Sequence, residues 1–142
     1  MRNLGVNVKQ TEALDYASGS ADRNGATLDM AGFGGVLVQV HFAAIATGAV
    51  TKIKVQQGKL ANGSDMADLE GTGITIADDA DNKLFWLDLR PSERYVRLVV
   101  DKDATNATAE SAVYVQYDPQ GIARPFTDAD GETHGLPAEG TA

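Results

Sequence analysis

The sequence predicts an all-β chain, a single-domain β-sandwich of jelly-roll type with an extended C-terminal tail. Three observations predict it. Apolar and polar residues alternate with a period of two in most ordered-looking stretches, the signature of half-buried strands. Clusters of Gly, Asn, Asp and Ser separate those stretches and supply the reversals between strands. No apolar segment has the length and 3.6-residue spacing that a βαβ crossover helix needs.

The elements follow in order. In Gly35–Ala43, Val36, Val38, Val40 and Phe42 share one face, opposite Leu37, Gln39 and His41. Thr51–Gln57 sets Ile53 and Val55 against Lys52, Lys54 and Gln56, the pattern of a strand with one face in water. Thr72–Ala77 is a short strand with Ile74 and Ile76 on one side. Asn82–Leu89 places Phe85, Leu87 and Leu89 opposite Leu84, Trp86 and Asp88. Being apolar on both faces, it is expected to be central in the sandwich or covered by a partner subunit. Glu93–Asp101 turns Val96, Leu98 and Val100 inward, and Ser111–Asp118 is expected to turn Val113, Val115 and Tyr117 inward. Weaker edge strands are expected at Val6–Lys9, Ala13–Ala17 and Ala26–Met30, and a helical turn at Ser64–Glu70. A closed barrel is the alternative to the sandwich, since periodicity does not separate the two.

The 142 residues suit one domain, with 43% hydrophobic residues to fill its core. Residues 1–118 form the expected sandwich. Residues 119–142 hold three of the four prolines and no alternating run, and read as an extended or disordered arm. Its anchor-like residues are Ile122, Pro125 and Phe126.

Composition excludes several function classes. With no cysteine there is no disulfide, thiolate metal site or cysteine nucleophile, which fits assembly in a reducing compartment. The net charge of −8, with 12 dispersed basic residues, argues against gripping a phosphate backbone, so no nucleic-acid partner is expected. The N-terminus lacks a signal-peptide apolar run, and the stretch from Gly34 to Ala46 is too short and polar to span a membrane.

No catalytic residue, metal ligand or cofactor is assigned. The two histidines, His41 in a strand and His134 in the tail, have no evident partners for general-base or metal work. The acidic stretches Asp78–Asn82 and Asp128–Glu132 have oxygen ligands suited to calcium but not the spacing of a twelve-residue loop, and read as solvated turns. Gly32-Phe-Gly34-Gly35 precedes a strand, whereas a phosphate-cradling loop follows one and opens a helix. Trp86 suits a core or protein interface before a sugar-stacking platform.

The segment Leu87–Tyr117 carries a family resemblance. It runs Leu-Asp-Leu-Arg90-Pro91, then Arg94-Tyr95-Val96-Arg97, a Thr/Asn/Ala-rich reversal, and a last strand reaching Tyr117-Asp118-Pro119. This order resembles the small β-rich head decoration (cement) and minor capsid proteins of tailed bacteriophages. The resemblance implies a non-enzymatic virion protein, made in the bacterial cytoplasm, that binds the capsid exterior and stabilises it. It also implies the major capsid protein as partner and a homo-oligomer, dimer or trimer. The expected interface residues are Trp86, Tyr95, Arg97, Ile122, Pro125 and Phe126.

Overall fold

The computed structural model describes residues 4–121 and shows two antiparallel sheets packed face to face. The strands are β1 (Lys9–Gly19), β2 (Arg23–Asn24), β3 (Leu28–Asp29), β4 (Phe33–Ile45) and β5 (Thr51–Gly58). They continue with β6 (Ala67–Asp68), β7 (Ile74–Ile76), β8 (Lys83–Leu89), β9 (Tyr95–Lys102) and β10 (Thr108–Pro119). Sheet A has the order β1-β10-β4-β8; sheet B has the order β2-β9-β5-β6, with β3 also on β9 and β7 also on β5. If β2 and β3 count as one broken strand, and β6 and β7 as another, eight strands wind in jelly-roll order. The fold is a sandwich, not a closed barrel.

The core lies where the inner rows meet. Val36, Val38, Val40 and Phe42 of β4 face Ile53 and Val55 of β5 and Val96, Leu98 and Val100 of β9, all fully buried. These are the inward rows that alternation predicts. Phe42 packs edge-on against Phe85, with ring centroids 5.8 Å apart.

Three expectations need correction. In β10 the buried row is Glu110, Ala112, Tyr114 and Gln116, while Val113 is 41% exposed. The polar residues win the interior because each finds partners there. The Tyr114 hydroxyl accepts from Leu98 N at 2.8 Å and donates to Ala26 O at 3.0 Å, and burial pushes its pKa up to about 12. Gln116 Nε2 donates to Asp29 O at 2.9 Å. A side chain at Gly25 would put its Cβ 2.8 Å from the Tyr114 hydroxyl, so that position is held to glycine by close approach.

The helical turn expected at Ser64–Glu70 is instead a loop followed by the two-residue β6. Asp65 accepts from the amides of Lys59 and Leu60 at 2.8 and 3.1 Å and closes the loop. Leu69 N donates to Val55 O at 2.9 Å, so the segment's hydrogen bonds go to β5 and not along a helix. Of the two N-terminal strands expected, Val6–Lys9 gives only Lys9 to a strand, Val6 ending a 3-10 turn (Leu4–Val6), and Ala13–Ala17 lies within one eleven-residue strand, β1, bent by register shifts between Glu12 and Leu14 and between Leu14 and Ala17.

The connections β1–β2, β4–β5, β7–β8 and β9–β10 gather at one end of the sandwich. Aspartates of that end accept backbone N–H groups from neighbouring loops: Asp78 from Gly48 at 2.6 Å, Asp81 from Ile45 at 2.7 Å and Asp22 from Lys102 at 2.6 Å. The Asp78–Asn82 stretch therefore ties turns together. Asp103 does most, accepting from the amides of Val50, Thr105 and Asn106 at 3.0, 2.8 and 2.8 Å. Those amides hold its carboxyl far below the usual carboxylate range.

A folded pKa depressed below the unfolded value contributes stability above the unfolded value, 3.8 here, and loses it as pH falls toward the folded one. Unfolding midpoints measured against pH are thus expected to hold steady down to about pH 4 and drop below it. Asp103→Asn is expected to lower the neutral-pH midpoint and flatten the acid drop.

Candidate functional site

The two outer faces differ in kind. On sheet B, charged and amide side chains bind one another. Lys54 bridges Asp68 and Asp101, both at 3.1 Å, and those two hydrogen bonds raise its pKa. Gln56 accepts from Arg97 Nε and Nη2 at 3.1 and 2.6 Å and donates to Asp68 at 2.7 Å. Arg94 grips Asp29 through two bonds of 2.9 and 2.8 Å and lies over the Tyr95 ring. This face has its own partners and is suited to water.

Sheet A presents the opposite. Glu12, Val113, Gln39 and Trp86 stand in one outer row across all four strands, with Ser111, His41 and Leu84 in the next across three. Trp86 is 62% exposed, Tyr16 66% and Leu84 58%. Glu12, Tyr16, Gln39, His41, Leu84 and Val113 line a shallow open depression in this face. Exposed large apolar side chains concentrated on one sheet face mark an interaction surface. A central Trp and Tyr with polar neighbours is also the composition of binding interfaces.

Beyond this band, toward the chain exit, lies a charged clamp. Tyr117 donates its hydroxyl to Asp88 at 2.5 Å, Arg90 lies over the Tyr117 ring at 5.7 Å, and Arg90 pairs with Asp118 at 2.8 Å. The hydrogen bond to Asp88, followed by desolvation, raises the Tyr117 pKa. The ring rests on Gly35, where a Cβ would fall 2.2 Å from Tyr117 Cζ. The clamp fastens the end of β8 to the end of β10, so Arg90, Tyr117 and Asp118 have a structural task.

The predicted interface residues that are described do not form one site. Trp86 is on the outer face of sheet A, on β8, which is an edge strand and not a central one. Tyr95 and Arg97 are on the outer face of sheet B, half-buried, with Arg97 committed to Gln56. Ile122, Pro125 and Phe126 lie outside the described residues. His41 is exposed, opposite the buried row, as its parity predicts. Tyr16, Leu84 and Val113 complete the band and were missed as site residues. Among the described residues no group of three or more His, Cys, Asp or Glu side chains is placed to hold a metal ion. No helix there is long and apolar enough to cross a membrane.

Comparison with known proteins gives no assignment: no family model and no curated protein matches the chain.

Proposed function

We propose that this chain is a non-enzymatic virion structural protein that binds the outside of a phage capsid through the outer face of sheet A and stabilises the shell. The observation that carries the reading is the exposed apolar band of Tyr16, Leu84, Trp86 and Val113 on the outer face of sheet A. The resemblance of Leu87–Tyr117 to decoration proteins supplies the kind of partner, the major capsid protein. A rigid jelly roll needs no moving part for such a task. Many weak copies on a repeating lattice gain residence from effective concentration.

One observation favours a second reading, a carbohydrate-binding module. Exposed Trp86 stands in register beside Gln39, with His41 in the next row, an aromatic plane flanked by hydrogen-bonding groups. Co-sedimentation with purified tailed-phage capsids, run in parallel with a glycan array, separates the two. Saturable capsid binding without glycan signal is expected. A glycan signal with no capsid binding contradicts the proposal.

A further inference from the structure

We propose that Asn62 is a self-modification site, at which the Gly63 amide nitrogen displaces ammonia from the Asn62 side chain with help from Arg97. The inference does not rest on the capsid reading. The pair Asn-Gly occurs twice in the chain, at Asn24-Gly25 and at Asn62-Gly63. Glycine after asparagine matters because, with no side chain in the way, its nitrogen can approach the neighbouring amide carbon. The fold treats the two pairs in opposite ways.

Asn24 lies in β2, paired with Val99 of β9, and Gly25 N donates to Leu98 O at 2.8 Å. The N–H two residues on, that of Ala26, is taken by Ala13 O at 2.9 Å, so it is not there for the Asn24 side chain. Asn62, by contrast, is exposed in the loop between β5 and β6. Its Oδ1 accepts from Ser64 N at 3.1 Å and closes an Asx turn. That bond draws the side chain over its own backbone, brings Cγ beside Gly63 N and polarises the amide carbonyl. Gly63 N is held by Leu60 O at 3.0 Å, a bond within the same short turn.

Arg97 supplies the charge. Its Nε and Nη2 hold Gln56, while Nη1 stands 3.5 Å from the place a Cβ at Gly63 would take. A guanidinium there favours the anionic nitrogen that attacks and the oxyanion that forms on Cγ. Gly63 N gives its proton to solvent hydroxide and bonds to Cγ. The Cγ–Nδ2 bond then breaks, and Nδ2 leaves as ammonia with a proton from water. Water opens the cyclic imide, and Gly63 N regains its proton. Opening at Cγ leaves aspartate; opening at the main-chain carbonyl leaves isoaspartate. Either product sets a new negative charge beside Arg97 on the outer face of sheet B, away from the apolar band of sheet A. Isoaspartate also adds a methylene to the backbone within the loop that Asp65 closes. The outcome is a slow, one-way charge switch.

The full purified chain, incubated in mildly alkaline buffer, is digested and read by tandem mass spectrometry. Position 62 is expected to gain the mass difference between OH and NH2, as aspartate and isoaspartate together, at least about tenfold faster than strand-held position 24. Asn62→Gln, whose longer side chain needs a larger ring, is expected to abolish the change. Arg97→Ala is expected to slow it about threefold or more, and Arg97→Lys, which keeps the charge, to slow it less. An arginine with a merely structural role would loosen the turn on removal and speed the reaction. An unchanged position 62, equal rates at 62 and 24, or aspartate without isoaspartate overturns the proposal. So does a rate that Arg97→Ala leaves as it was or raises.

Discussion

Glu110→Ala is expected to destabilise the fold by about 3–5 kcal/mol, because it strands a buried ammonium. The Glu110 side chain is fully buried and accepts from Lys102 Nζ at 2.9 Å, Arg23 Nη1 at 3.1 Å and Thr108 Oγ1 at 2.9 Å. The Lys102 side chain is itself 1% exposed, and its Nζ donates to the carbonyls of Gly19 and Thr108 at 2.9 and 3.3 Å. Arg23 keeps Asp15 as a second carboxylate and is partly exposed, so the loss falls mainly on Lys102. The network joins β1, β2, β9 and β10, two strands from each sheet. Taking out one partner leaves an uncompensated charge, whereas replacing both by apolar side chains removes the penalty. Urea denaturation should therefore show Lys102→Met with Glu110→Leu recovering much of what Glu110→Ala alone loses. A double variant as unstable as the single one would mean that the network acts through packing and not charge.

Phe42→Ala is expected to cost about 3–5 kcal/mol, a large share of a stability of about 5–15 kcal/mol. Phe42 is fully buried, lies on a central strand of sheet A and packs edge-on against Phe85. Phe85 sits on the edge strand β8 and is only partly covered, so the same substitution also loosens how β8 is held. Hydrogen exchange is expected to speed up more in β8 than in β5. Uniform acceleration across both sheets would show that the cavity acts only through global unfolding.

Much of the sandwich was legible because its strands obey a simple alternation. The inward rows of β4, β5 and β9 are the valine, isoleucine and leucine rows, and each has polar or mixed residues opposite. β10 defeats the same rule. Its valines face out, and its inner row is Glu110, Ala112, Tyr114 and Gln116. Only the partners explain that choice: Lys102 and Arg23 for Glu110, Leu98 and Ala26 for Tyr114, Asp29 for Gln116. All are far away in sequence or on another strand, so no local pattern announces them.

The same inversion hid half of the candidate site. With Val113 assigned to the core, Trp86 and Leu84 stood alone as the apolar outer face of one strand. Cross-strand register shows them as part of a band that crosses sheet A. Tyr95 and Arg97 were expected at an interface from the Arg94-Tyr95-Val96-Arg97 stretch. On the folded chain Arg97 is spent on Gln56, and Arg94, held by Asp29, covers Tyr95.

The central claim is that the outer face of sheet A is the docking surface, and Val113→Lys tests it most directly. Val113 is exposed on β10, in the middle of that face, so a lysine there disturbs the face while leaving the core intact. Binding of this variant to assembled capsids should be compared with that of wild type and of Arg97→Ala. The account predicts about tenfold or greater weakening for Val113→Lys and wild-type binding for Arg97→Ala. Unchanged binding by Val113→Lys together with loss in Arg97→Ala would place the docking surface on sheet B and contradict the account.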